Sequence, residues 1–149
     1  MLCLIATKTI ALFSVEEAKQ CDIVFLAVSG DFAKEFAPQI AEGALVIDNS
    51  SAFRLNDDVP LIVPEINGDL AKTAKLIANP NCTTAIAAVA LWPLHKAFGL
   101  KKVFVSTYQA ASGAGQPGMN ELREGLAAGL EGKPVPAEAF AHPLAFNVI

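Results

Sequence analysis

Hydrophobic residues fall first into short unbroken runs and then into helical spacings, an order that predicts a parallel sheet with helical crossovers. From Asp22 to Val28 the chain carries Ile-Val-Phe-Leu-Ala-Val, whose length and β-branched content predict a strand buried on both faces. Ser29-Gly30-Asp31 ends that run. Apolar residues then recur at Phe32, Phe36 and Ile40, one face of a helix, before a second buried strand at Ala44 to Ile47 that leads into Asp48-Asn49-Ser50-Ser51. Strand, helix and strand make a βαβ unit, which crosses over right-handed into a parallel sheet.

The flanking pattern is less regular. Met1 to Phe13 alternates weakly, with Thr7, Thr9 and Ile10 favouring a strand, and Val15 to Gln20 reads as a short helix opened by Ser14 as N-cap. After a loop from Ala52 to Pro60 come a strand at Leu61 to Val63 and a turn at Pro64 to Gly68. A helical turn within Asp69 to Lys75 then precedes a short strand at Leu76 to Ala78. Thr83 to Phe98 is alanine-rich and helical, with Pro93 expected to kink it and Gly99 to stop it. Lys102 to Gln109 alternates as a strand, Ala110 to Gly118 is a glycine-rich turn, and Met119 to Leu130 is a helix. The tail is proline-rich at first and ends strand-like at Ala145 to Ile149, with no turn after it, which points to a chain that stops within a domain.

Composition changes this picture in one respect. Of 149 residues 53% are hydrophobic and only 17% charged, the balance of an interior, which is unusual for a stand-alone domain with a large surface to cover. A piece of a larger protein or an obligate oligomer is expected. The net charge of −4 comes without any cluster of Lys or Arg, so a nucleic-acid partner is not expected. The most apolar stretch, Ala85 to Leu94, is far shorter than the roughly 20 residues that cross a bilayer and contains Pro93. Lys8 interrupts the apolar start, and no cleavage-site pattern follows, so the expected location is cytoplasmic. Cys3, Cys21 and Cys82 have no paired or metal-like spacing, which fits free thiols in a reducing compartment and no bound metal.

Asn79-Pro80-Asn81-Cys82-Thr83-Thr84 concentrates the chemistry. A cysteine in the first turn of a helix faces unpaired N–H groups and the positive end of the helix dipole, both of which favour thiolate over thiol. Asn81 and the same N–H groups can donate to an oxyanion when that sulfur attacks a carbonyl. Inert burial is the competing reading for Cys82, and the better one for Cys3 and Cys21. The small residues of Ala111-Ser112-Gly113-Ala114-Gly115 can let backbone N–H groups approach a phosphate or a flat ring, or form a plain loop. Arg54 can hold a carboxylate or phosphate in bidentate fashion, or be solvated. Gln109, at a strand end beside the glycine turn, can orient a substrate or water, or be a surface amide. His95 and His142 have neither a carboxylate nor a cysteine beside them, and neither is expected to be a catalytic base.

Four motifs in one order, Asp48-Asn49-Ser50-Ser51-Ala52-Phe53-Arg54, Val63-Pro64-Glu65-Ile66-Asn67, Asn79 to Thr84, and Ser106-Thr107-Tyr108-Gln109 with Ser112 to Gly115, resemble aspartate-β-semialdehyde dehydrogenase. The tail His142 to Ile149 is similar to the family too, so the likeness runs from about Asp22 to the last residue. It implies an α/β chain: a partial Rossmann-like, NADP-binding parallel sheet over residues 1–78, then the start of an α+β catalytic and dimerisation domain over 79–149. By the resemblance Cys82 is the nucleophile that attacks aspartate semialdehyde, hydride passes to NADP+, and phosphate cleaves the thioester to aspartyl phosphate. This is a step of lysine, threonine and methionine biosynthesis. Gln109 matches the substrate-orienting glutamine, Asn81 the asparagine beside the nucleophile, and Arg54 the arginine for phosphate or the substrate carboxylate. Ser29, Gly30, Ser112 and Gly113 fall where the family contacts the cofactor, and Asn49 and Ser50 line the same cleft. A homo-oligomer is implied.

The departures are equally specific. Family members begin with a strand and a glycine-rich phosphate turn, which does not precede Asp22, and continue into segments carrying a substrate-binding Glu and Arg and a histidine acid/base that this sequence lacks. Losing a base typically costs about 10²–10⁴-fold in rate, so weak or no turnover by the chain alone is expected. N-acetyl-glutamyl-phosphate reductase, which shares the thioester chemistry, and a non-catalytic fragment acting through chain association remain as alternatives.

Overall fold

A computed structural model describes residues 11–147. The chain divides into two compact units, the first reaching Val103 and the second running from Phe104.

In the first unit, helix α1 (Val15–Ala18) opens on Ser14, whose Oγ accepts from Glu17 N as the sequence pattern predicts. Strand β1 (Ile23–Leu26), helix α2 (Gly30–Ile40) and strand β2 (Leu45–Asp48) form the βαβ unit. After a helical turn, α3 (Pro64–Asn67), and a 3₁₀ turn (Gly68–Lys72) comes strand β3 (Leu76–Ala78), and then the long helix α4 (Cys82–Phe98). The sheet is parallel, with β2 in the middle: Phe25 is level with Ile47, and Ile47 with Ile77. Ser29 caps α2 by accepting from Phe32 N. The inner face of α2, Ala33, Ala37 and Ile40, is fully buried against Leu26, Val46 and Ala78 together with Phe53. Phe13, Phe32 and Phe36 stack edge-on or tilted beside this core. Alanines on the helix bring its backbone close to the strands, so larger side chains from the sheet fill the gap.

Several expectations are corrected. β1 is not buried on both faces: Phe25 is 68% and Ile23 50% exposed, because α2 covers only the face that holds Leu26. Leu61 to Val63 is not a strand but a single bridge from Leu61 to Ala78, limited by Pro60, which has no N–H to donate, and by Pro64, which starts α3. The turn expected at 64–68 is therefore largely one helical turn. Lys102 to Gln109 forms no strand; among the described residues no strand lies beside it to complete a ladder. In the second unit the glycine-rich turn tightens into a 3₁₀ turn (Ala111–Ala114), and helix α5 (Gly115–Leu130) begins four residues before Met119. Ala145 and Phe146 form a turn rather than a strand. The strand expected in residues 1–10, the burial of Cys3 and the end of the tail lie outside the described residues.

α4 stops where Gly99 takes φ 67° and returns its N–H to His95 O, the left-handed ending that favours glycine. Despite its apolar composition α4 has no buried residue; Ile86 and Phe98 are 73% and 80% exposed.

Candidate active site

Because the strands are parallel and in register, Leu26, Asp48 and Ala78 end level with one another. Ser29-Gly30, Asn49-Ser50 and Asn79 therefore leave the sheet at one carboxyl edge, where open α/β sheets bind ligands.

Polar side chains lace this edge together. Asp48, fully buried, accepts from Ser50 N at 3.0 Å and from the Ser50 hydroxyl at 2.7 Å. The Ser50 Oγ in turn accepts from Ala52 N. Asn79 donates its backbone N–H to Asp48 O at 2.8 Å and its side-chain amide to Asn49 Oδ1 at 2.7 Å. Arg54 donates from Nε to Asn79 O (2.9 Å) and from Nη2 to Asn49 O (2.8 Å), so one guanidinium spans the chain leaving β2 and the chain leaving β3. A guanidinium has five donors, and the Nη1 side remains for an oxyanion.

From Asn79 the chain turns through Pro80 into α4. Asn81 is the N-cap: its Oδ1 accepts from Thr83 N at 2.9 Å, and its carbonyl takes the first helical bond, from Ala85 N. With its oxygen engaged, the amide nitrogen of Asn81 is the end that can donate. Cys82 is the first helical residue and is exposed, with Sγ 3.9 Å from Thr83 Oγ1. The inert burial that competed for Cys82 is excluded. Cys21, for which burial was expected, is exposed too; it lies just beyond the C-terminal end of α1, where its thiol donates to Glu17 O at 3.7 Å.

Gln109, Ser112 and Gly113 belong to the second unit, whereas Cys82, Asn81, Arg54, Asn49, Ser50, Ser29 and Gly30 belong to the first. Within the second unit the Gln109 amide lies directly on Gly113; a Cβ added there would come 2.3 Å from Nε2. Gln109 lines a cleft of about 410 Å³ with Tyr108, Phe140, His142 and Asn147. His142 thus shares the cleft of Gln109, a placement that 32 intervening residues hid from the sequence. His95 is stacked on Trp92 along α4, 5.8 Å between ring centroids.

The carboxyl edge of the first unit fits the phosphate part of a nucleotide cofactor. At Gly30, the first residue of α2, an added Cβ would meet only Ala52 Cβ, at 4.0 Å, so the approach to that helix N-terminus is open. No group of three His, Cys, Asp or Glu suited to a metal occurs among the described residues, and no helix there is long and apolar enough to cross a membrane.

Sequence reading missed Asp48 and Asn79. Each ends or follows a strand as a short polar residue, a weak signal, and only strand register shows that they meet.

Comparison with known proteins places the chain among similar sequences at both ends. Residues 5–74 match the semialdehyde dehydrogenase NAD binding domain, and residues 91–149 match the semialdehyde dehydrogenase dimerisation domain. An aspartate-semialdehyde dehydrogenase of Synechocystis is 47% identical over 132 residues, covering 87% of this chain and 39% of that protein. One from Helicobacter pylori is 47% identical over 147 residues, covering 91% of this chain and 42% of its own length. The crystal structure of aspartate semialdehyde dehydrogenase II from Vibrio cholerae superposes with TM-score 0.71 at 40% identity, over 87% of this chain and 40% of that one. The same enzyme complexed with ASA gives 0.72. The chain spans about two fifths of the length of these relatives.

Proposed function

The chain belongs to the semialdehyde dehydrogenase family, and on that premise we propose that it carries the nucleophile of an NADP-dependent reaction interconverting aspartate 4-semialdehyde and 4-aspartyl phosphate. The observation that carries the reading is Cys82, exposed as the first residue of α4, where the chain leaves the ligand-binding edge of the sheet.

Cys82 Sγ attacks the aldehyde carbon and forms a C–S bond. The carbonyl oxygen becomes an oxyanion within reach of the Asn81 amide and the first-turn N–H groups of α4. Ser29-Gly30 and Asn49-Ser50 would hold a nicotinamide, which would take the hydride from the sulfur-bearing carbon so that the C–H bond breaks and the carbonyl reforms as a thioester; the resemblance gives Ser112-Gly113 a cofactor contact as well. Phosphate oxygen then attacks the thioester carbonyl, the C–S bond breaks, and Cys82 leaves as thiolate. Arg54 Nη1 offers donors to that phosphate or to the substrate carboxylate, and Gln109 orients the substrate. The exposed thiols of Cys21 and Cys82 favour a reducing, cytoplasmic setting. The uncovered apolar side chains of α4, part of which lies in the segment matching a dimerisation domain, favour a homo-oligomer.

The test is acyl transfer itself. With aspartate semialdehyde and NADP+ but no phosphate, an acyl adduct is expected on Cys82 by peptide mass mapping. It should disappear on adding phosphate and never form in Cys82→Ser. The adduct needs a single pass and not turnover, so over a long incubation the slow rate expected of the chain alone still lets it form, and a wild-type Cys82 that stays unmodified would overturn the reading.

A further inference from the structure

Glu121 lies midway along α5 with its side chain 6% exposed. Its Oε2 accepts from the backbone N–H groups of both Glu138 (2.6 Å) and Ala139 (2.5 Å). Its Oε1 is buried with no partner among the described residues. A carboxylate in such a place does one thing: it holds the segment after Lys133 onto the helix. The helix is shaped to receive that segment. Gly118, Glu121 and Gly125 share one face, and their neighbours across the contact are Phe140 at Gly118 and Val135, Pro136 and Ala145 at Gly125.

The residue directly after the two tethered amides is Phe140. Its ring packs on Gly118 and walls both clefts that Gln109 lines, one with Tyr108 and His142, the other with Ala111, Gly113 and Leu144. Gln109, itself exposed, thus has Gly113 beneath it and, beside it, a wall whose position is fixed through Glu121. We propose that Glu121 is a positioning residue for the Gln109 cleft: its carboxylate latches residues 138–139 to α5 and thereby sets Phe140 against the substrate-orienting glutamine. This rests on the reading of Gln109 given above, but the latch can be measured without any turnover.

Amide hydrogen exchange and NMR on the 149-residue chain supply the test. Tyr108, which lines the Gln109 cleft, is the single tyrosine of the sequence, so fluorotyrosine labelling gives one resonance that reports on it. In Glu121→Ala the amides of Glu138 and Ala139 should exchange at least about tenfold faster, and the Tyr108 fluorine and Gln109 side-chain amide resonances should shift. Glu121→Gln retains one oxygen to accept both amides and places its nitrogen where no donor stands, so both readouts should return toward wild type. Glu121→Met, of similar length but with no oxygen to accept the two amides, should leave both readouts released, which separates the latch from mere filling of space. Phe140→Ala should move the Gln109 and Tyr108 signals while leaving 138 and 139 protected. Unchanged exchange in Glu121→Ala would overturn the latch, and released amides with unmoved Gln109 and Tyr108 signals would overturn its link to the cleft. If Glu121→Ala does not fold, Glu121→Asp, with the carboxylate withdrawn by one methylene, decides by the same readouts. An inactive chain changes none of these outcomes, so failure of the catalytic reading is separable from failure of this one.

Discussion

Cys82 and Cys21 are both exposed thiols at opposite poles of helices, the first among N–H groups at the start of α4 and the second donating to a carbonyl at the end of α1. Accessibility alone would make them equally reactive. The positive pole of a helix favours an attacking sulfur by a few tenths to about 1 kcal/mol, so iodoacetamide should modify Cys82 roughly two- to fivefold faster than Cys21, read by peptide mapping. Equal rates would remove the activated-nucleophile claim. Arg54 makes a second case at this scale. Lysine keeps the charge but cannot span the carbonyls of Asn49 and Asn79 as a planar fork does. Arg54→Lys should lower stability by about 1–2 kcal/mol, measured by denaturant unfolding. The helix start beside Cys82 was legible because first-turn chemistry is local, although the cap that Asn81 provides emerged only from the structure. The role of Asn79 was not, since an amide joining two strand ends depends on register, which residue spacing along the chain does not carry.

Helices with side-chain caps were readable as elements, with Ser14, Ser29 and Asn81 each where a short polar residue precedes helical periodicity. Lys102 to Gln109 alternates just as well, yet a strand needs a second strand running alongside it, and none does so among the described residues. The pairing of α5 with the segment after it was also hidden, because the signal is small residues and a glutamate, not a hydrophobic stripe. Gly99→Ala should destabilise α4 by about 1 kcal/mol, since alanine is strained at φ 67°. Ile40→Ala, at the fully buried end of α2, should cost about 2–5 kcal/mol. The tie from α1 to the end of α2 is of another kind. The hydrogen bond from Lys19 to Glu42, helped by the nearby Glu16, raises the Lys19 ammonium above the ordinary lysine value of 10.5. Its contribution is therefore present at neutral pH and is lost as pH rises above that value and through the folded one. Being exposed and screened by salt, it should be small, and Lys19→Met should shift the melting temperature little in high salt.

For the molecule as a whole, the low charged fraction correctly signalled surface that is not covered within the described residues. Ile86, Val89, Leu94 and Phe98 on α4 are exposed apolar side chains, as are Phe104 and Val105 beyond it. Self-association is the expected result: sedimentation should give a mass that rises with concentration, and Ile86→Lys with Phe98→Lys should lower it. A mass independent of concentration and equal to one chain would sink that expectation. The same bareness marks β1, where it takes on a colloidal meaning. From Ile23 to Val28 six residues carry no charge, Asp22 and Asp31 being the nearest anions on either side, and β1 has a single strand neighbour among the described residues. An uncharged edge of that kind is a template on which identical strands can add without closing a ring, whereas a defined dimer saturates. The ceiling on soluble concentration is therefore expected to depend on β1, and Phe25→Lys, outward-facing and remote from Cys82 in sequence, is expected to raise it, read as the protein left in solution after centrifugation.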